Sequence, residues 1–366
     1  MASPPTAADV GLARAAASRP LGTASLAAAG RLATADWTAG VVEEGGQFHR
    51  VLVLPGVGAV RMSRTEVAAG RLPANVALVQ ALATTAQLPV ALPVPLTEVV
   101  TGPDGTAAVV QEYLPGQAHP PHEGDPAVLR GLCEALAAVD TTALQPHLGP
   151  AFAYRGPWTP ARVRTVRELP GRLRDAHGGR LWDGDWTAEH PSVSVAAFPD
   201  TVEELLGTLV GWTENPVVTP SLVHGDLAGH NMRWARAEGR WVLTGVLDWD
   251  LASAWDPALN PAYLSLWHGE EKLEAIARDP AEARRARAWL GWMALETLDD
   301  AAGREGTGFP ANWPRLLRKV LPRIGRAVAA LRDRDAIGGG DGSASRGCAG
   351  PGPALHIPAD RTAGTR

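Results

Sequence analysis

Cysteine and lysine are nearly absent from this 366-residue chain, which has two of the first, Cys133 and Cys348, and two of the second, Lys272 and Lys319. The cysteines stand far apart without metal-ligand spacing. Neither a disulfide framework nor a thiolate zinc site is therefore expected, and a reducing cytoplasm is the default compartment. The shortage of lysine makes arginine the source of nearly every fixed positive charge. Bases are not in excess either: 34 Lys and Arg against 39 Asp and Glu leave a net charge of −5, which speaks against a footprint for duplex nucleic acid. Long apolar runs are also missing. The uncharged stretch at residues 75–97 holds Gln80, Gln87, Pro89, Pro93 and Pro95 and is unfit to span a membrane. The N-terminus lacks a basic segment ahead of an apolar core, so no secretory signal is expected. Tyr and Phe are scarce, at 3 and 4 residues, while Trp reaches 13. With no basic stripe beside them, these tryptophans read as core packing rather than as a stacking platform for single-stranded nucleic acid.

What is present divides by composition. Residues 1–20, rich in Ala, Pro and Ser, and residues 336–366, rich in Gly, are expected to be disordered tails. Residues 47–54 and 59–63 flank Pro55-Gly56-Val57-Gly58 as a hairpin, residues 65–86 read as a helix, and residues 90–100 and 106–113 form a second strand pair around Gly102-Pro103-Asp104-Gly105. After Leu114-Pro115-Gly116 the pattern turns helical. Asp125, Asp279 and Asn312 are expected helix N-caps, and Thr201 with Glu204 reads as a capping box ahead of Val202, Leu205, Leu206 and Leu209. The expected fold is α+β and bilobal: a β-rich N-terminal lobe over residues 21–114 and a mainly helical lobe over residues 115–335. Glu296, Asp299 and Asp300 read first as a solvated helix face, with reception of a cationic substrate as the alternative. Arg284, Arg285 and Arg287 read as a wet face balanced by Glu282.

The chemistry concentrates at residues 221–231, where the short apolar run Ser221-Leu222-Val223 enters the polar loop His224-Gly225-Asp226, with His230 and Asn231 close behind. Two strand patterns then flank the turn Ala237-Glu238-Gly239-Arg240, and the second ends at Asp248-Trp249-Asp250. The hairpin thus returns Asp248 to Asn231. Two oxygen ligands flanking a third carboxylate suit a hard cation such as Mg²⁺, and Asp226 is left to orient a nucleophile. Walker A loops, Gly-x-Ser-x-Gly elbows and His-Glu-x-x-His helices are all missing, which removes the common hydrolase readings.

This layout resembles the aminoglycoside phosphotransferase and choline kinase-like family, whose protein-kinase-like catalytic loop reads His-Gly-Asp with Asn five positions after Asp. The matching residues are His224-Gly225-Asp226, Asn231, Asp248 and Asp256-Pro257. The resemblance implies that Asp226 orients the acceptor hydroxyl, that Asn231 and Asp248 hold Mg²⁺, and that His224 and Asp256 support the loop. It also implies a phosphate-covering loop at Gly45-Gly46 and a hinge at residues 111–116, where backbone groups of Glu112 and Leu114 meet the nucleotide base.

Where the family places a phosphate-binding lysine, this chain has Arg61. The helical glutamate that usually pairs with that lysine has no counterpart near Asn75, and Asn260 stands where the family often has Asp. The expected activity is transfer of the γ-phosphate of ATP or GTP to a hydroxyl of a small molecule, such as an aminoglycoside-like antibiotic. A metabolite kinase of choline or homoserine type and a nucleotide-binding pseudoenzyme remain as alternatives. Nucleotide and acceptor are the expected partners, without nucleic acid, membrane or an obligate protein.

Overall fold

The computed structural model describes residues 2–120, 122–178, 194, 196–305 and 311–333. The first part of the chain builds an antiparallel sheet from β1 (Ala2–Ser3), β2 (Val41–Glu43), β3 (His49–Leu54), β4 (Gly58–Ser63), β5 (Val100–Thr101) and β6 (Ala107–Gln111). Its strand order is β1-β2-β3-β4-β6-β5. The expected β3–β4 hairpin turns through Pro55-Gly56, with Gly56 at φ +76°, and sets Val51 opposite Arg61. Helix α3 (Glu66–Thr85) follows, capped by the Thr65 hydroxyl, and packs on β4 and β6.

Two expectations for this part are corrected. Residues 2–20 are not the disordered tail expected there: β1 pairs with β2, and residues 7–17 form helix α1 (Ala7–Ala17) against β5 and β6. Thr6 and Asp9 close a capping box, and Val10, Ala13, Ala16 and Ala17 are buried. Alanine has the strongest helix propensity but adds no bulky stripe, so the helix carries little amphipathic signal. Helix α2 (Leu26–Ala33) comes next. The other correction concerns residues 90–100, of which only Val100 joins β5. Pro93 and Pro95 lack the N–H a ladder needs. The segment instead makes scattered bonds, Leu96 N–H to Val110 O at 2.8 Å and Ala91 N–H to Thr244 O at 2.9 Å, the latter reaching into the helical part.

That second part comprises α4 (Pro126–Ala137), α5 (Pro160–Arg167), α6 (Leu169–His177), α7 (Phe198–Glu214), α8 (Leu259–His268), α9 (Leu273–Ile276), α10 (Pro280–Gly303) and α11 (Trp313–Arg332). Strand β7 (Ser221–Val223) pairs with β10 (Ser253–Trp255), and β8 (Met232–Ala237) forms a hairpin with β9 (Arg240–Val246). Asp125, Asp279 and Asn312 cap their helices through side-chain oxygens. The capping box at Thr201 does not form. Helix α7 starts four residues earlier, at Phe198 with Pro199 in its first turn, and Thr201 is buried inside it. Proline presets the helical φ and needs no donor there, which makes this the better start.

Helix α10 lies at the centre, packed on α7, α8 and α11, and its tryptophans are core as expected: Trp158 stacks on Trp292 and Trp289 with centroids at 4.6 and 5.4 Å. Most of its charges are not a wet face, although Arg287 with Glu274 and Asp300 with Arg304 keep to the surface. Arg285 is buried and donates to Asp256 at 3.2 Å, and Arg284 caps the end of α11 through Ala330 O and Leu331 O. Glu296 is wholly buried, taking bonds from Arg162 Nε at 2.7 Å and Arg155 N–H at 3.1 Å, while Asp299 pairs with Arg172 and Arg162. A helix enclosed on several sides must pair its charges internally. Cys133 is a free, buried thiol, and the expected tail at residues 336–366, with Cys348, lies outside the described residues. No described helix is long and apolar enough to cross a membrane.

Candidate functional site

Strand β7 is fully buried and delivers His224-Gly225-Asp226 to the edge of the helical part. Gly225 sits at φ +86°, and a Cβ there would stand 2.4 Å from Leu251 O, so the turn admits only glycine. His224 braces the loop. Its Nδ1 accepts the Asp226 N–H at 3.2 Å, and its Nε2 is 2.9 Å from Leu247 O. The first contact requires a bare Nδ1 and the second a proton on Nε2, so the ring is neutral; burial drives its pKa down to about 4. Helix α8 adds a second brace, because Asn260 accepts the His224 N–H at 3.1 Å and donates to Leu222 O at 2.9 Å. An aspartate could not make the second bond.

Asn231 closes the loop onto its own acid. Its Nδ2 donates to Asp226 Oδ2 at 2.9 Å and to Asp226 O at 3.0 Å. Burial raises the affinity of Asp226 for a proton, against the pull of His230 and Asn231. His230 itself is exposed, with Nε2 3.9 Å from Asp226. The β8–β9 hairpin turns at Glu238 and Gly239, both at positive φ, and returns the chain so that Leu247 N–H donates to Asn231 O at 2.7 Å. Asp248 is next, at φ +60°, with its side chain 47% exposed toward the cleft. Although the carboxyl is half-exposed, the protein packed around it pushes it up to about 6, with Arg61 opposing and Asp250 and Asp226 adding repulsion.

Arg61 reaches this cluster from β4. Its NH1 donates to Asp250 Oδ1 at 2.7 Å, while its NH2 meets Asp250 Oδ2, Asp248 Oδ1 at 3.1 Å and His49 Nδ1 at 3.0 Å. His49 is held neutral, down to about 4, by burial first and then by the charge of Arg61, so its Nδ1 is free to accept. Gly45 and Gly46 turn between β2 and β3. A Cβ on Gly46 would lie 2.3 Å from His49 O, so the glycine turn folds tightly beside the partner of Arg61. Glu112 spends its N–H on Val94 O at 2.8 Å, and Leu114 is buried against Gly245. Asp256 stands apart from the cleft group: it accepts from Ala258 N–H, Arg285 Nε and Trp289 Nε1 and ties the start of α8 to α10. Sequence reasoning missed Asp250 and His49 as site neighbours, and it singled out Asn260 only as a departure from the family pattern.

A β-rich part and a helical part meeting at a loop with Asp226, Asn231 and Asp248 define a bilobal, protein-kinase-like fold, the architecture of enzymes that move phosphoryl groups. A profile of the phosphotransferase enzyme family matches residues 40–295. Viomycin phosphotransferase of Streptomyces vinaceus is 29% identical over 279 residues, covering 73% of this chain and 88% of that protein. Among solved structures, the GDP complex of an aminoglycoside 2′-phosphotransferase-IIIa variant aligns with a TM-score of 0.55 at 17% identity, over 79% of this chain and 92% of that one. The GDP and kanamycin complex of APH(2″)-IIIa also aligns at 0.55, with 15% identity, over 81% and 95%. The chain belongs to the phosphotransferase enzyme family, and it is a small-molecule kinase that transfers phosphate to a hydroxyl group.

Proposed function

We propose that the donor is ATP or GTP with Mg²⁺ and that the acceptor hydroxyl belongs to an antibiotic-like molecule. The observation that carries this reading is the meeting of Asp226, Asn231 and Asp248, from a loop and the end of a hairpin, in one half-open cleft. In this reading residues 21–114 receive the nucleotide, and residues 115–335 supply catalysis and the acceptor site.

Asp226 accepts a hydrogen bond from the acceptor hydroxyl. As that oxygen bonds to the γ-phosphorus, the bond to the β,γ-bridging oxygen breaks and the hydroxyl proton passes to Asp226. Burial, which raises the proton affinity of this carboxyl, suits it to that task. Asn231 spends Nδ2 on Asp226, so Oδ1 is the atom it offers a cation, beside the Asp248 carboxylate. The donor set fits Mg²⁺. The Asn231 amide oxygen and the Asp248 carboxylate are hard oxygen donors, and a hard divalent cation takes such oxygens while leaving room for phosphates and water. Mg²⁺ when bound shields the phosphate charge. Arg61 and the Gly45-Gly46 turn face the phosphates, Glu112 and Leu114 offer backbone groups to the base, His224 supports the loop, and Asp256 anchors the start of α8, whose Asn260 braces that loop.

The similarity to viomycin phosphotransferase supports an antibiotic as acceptor. Transfer of labelled γ-phosphate from ATP and GTP to viomycin, kanamycin, choline and homoserine tests it. Labelling of an antibiotic is expected. Labelling of choline or homoserine alone would make the chain a metabolite kinase, and Mg²⁺-nucleotide binding without transfer to any acceptor would make it a pseudoenzyme.

A further inference from the structure

We propose that Asp250 is a positioning residue, the acidic partner that holds Arg61 in line for the nucleotide phosphates, so that the cation–acid pair of this phosphotransferase is made between β4 and the segment following β9. The proposal rests on the nucleotide reading of Arg61 given above.

The starting point is a missing partner. A guanidinium drawn into the cleft needs a carboxylate, since an unpaired buried charge is strongly unfavourable. Helix α3, which packs on β4, is the natural source, yet its only acid is Glu66, exposed in its first turn. Asp250 fills the gap from the other side of the cleft. Both of its oxygens face the two terminal nitrogens of Arg61, the fork-on-fork geometry that arginine makes with a carboxylate and lysine cannot. The Arg61 side chain is only 13% exposed. Burial alone would loosen its proton, but Asp250 and then Asp248 hold it more firmly than usual. His49 completes the cradle with a neutral acceptor.

The two acids divide their work. Asp248 gives Arg61 one oxygen at 3.1 Å and remains half-exposed, whereas Asp250 takes the guanidinium in both prongs and is the more covered. With its charge satisfied by Asp250, Arg61 does not need to clamp Asp248, which stays turned to the cleft. The pairing also joins residues 189 positions apart in sequence, so it fixes the sheet against the catalytic hairpin.

The test is a cycle of Arg61→Gln, Asp250→Asn and the double variant, with Asp250→Glu as the conservative arm. Steady-state kinetics are read for nucleotide and acceptor, and nucleotide affinity is read by calorimetry across a Mg²⁺ series. Each single variant is expected to raise the nucleotide KM by about tenfold with little change in acceptor KM, and the double variant to be no worse than Arg61→Gln, because both remove one interaction. Asp250→Glu should recover part of the loss. If Asp250→Asn fails to fold, the charge-balanced double variant and Asp250→Glu still measure the pair against Arg61→Gln. Additive losses would overturn the proposal. So would a shift in Mg²⁺ requirement with Asp250→Asn that Arg61→Gln does not share, since Asp250 would then be a metal ligand. Calorimetry needs no acceptor, so a wild type that transfers phosphate to nothing defeats the functional reading while the cycle still decides the pair.

Discussion

The catalytic loop and the sheet each bring a charged group to the same cleft, but over very different ranges of sequence. Asp226 is held by Asn231, five residues on, and by the imidazole of His224, two residues back. Arg61 is held by Asp250, 189 residues on, and has no acid from its own half facing it among the described residues. A group fixed by near neighbours keeps its geometry wherever the loop folds. One fixed across the cleft depends on how the two parts close, as the pairing of Arg61 with Asp250 does.

The largest expected effect lies on the local side. Asp226→Ala should leave the fold and nucleotide affinity nearly intact and lower turnover by about 10²–10⁴-fold, the usual worth of a positioned general base. Wild-type turnover in a variant with an unchanged thermal melt would show that the loop does not carry the base.

Next comes the junction of the two sides. Asp248→Asn keeps a residue that tolerates φ +60° while removing the charge, so the backbone should hold. Nucleotide affinity should fall by about tenfold in the presence of Mg²⁺ and stay level without it, a loss equivalent to about 1.4 kcal/mol. Calorimetric titration with and without the metal checks this, and equal metal dependence in both proteins would take Asp248 out of the site.

The long-range side should respond more mildly to a conservative change. Arg61→Lys keeps the charge but replaces a fork by a point donor, so one of the two bonds to Asp250 is lost and the nucleotide KM should rise by roughly three- to tenfold. Kinetics equal to wild type would mean that the cleft needs only a positive charge.

The smallest effect at neutral pH is expected far from both groups. His268, wholly buried at the end of α8, is driven down to about 4 by burial first and then by His119, Lys272 and His122. Because its folded pKa lies below the ordinary 6.5, the unfolded chain takes up the proton first. Stability is therefore full above pH 6.5 and is lost as pH falls toward 4, by up to about 1.4 kcal/mol per unit. Urea unfolding at pH 7, 6 and 5 should show a shallower decline in His268→Gln than in wild type. Identical slopes would mean that this ring is not the group being protonated.

The grouping of Asp226, Asn231 and Asp248 could be read without coordinates because they lie within 23 residues of sequence and a hairpin closes them. Glycine at φ +86°, the turn at Glu238-Gly239 and the caps at Asp125, Asp279 and Asn312 are likewise local requirements written into residue types. Helix α1 escaped because alanine supplies helix propensity without an apolar stripe. Glu296 and Arg285 looked like surface groups because charge pattern alone carries no information about which faces of α10 are covered.

Sequence by itself thus determined the spacing of Asp226, Asn231 and Asp248, the turn that joins the hairpin, and the scarcity of lysine that leaves arginine as the cation of the first lobe. Tertiary structure decided which carboxylate that arginine meets, that His49 is its neutral neighbour, and that the charges of α10 pair inside the protein. The physical reason is range. Turns and caps are settled by atoms a few bonds apart, whereas the partner of a buried charge is settled by whichever element packing brings within about 3 Å, and desolvation then makes that choice costly to undo.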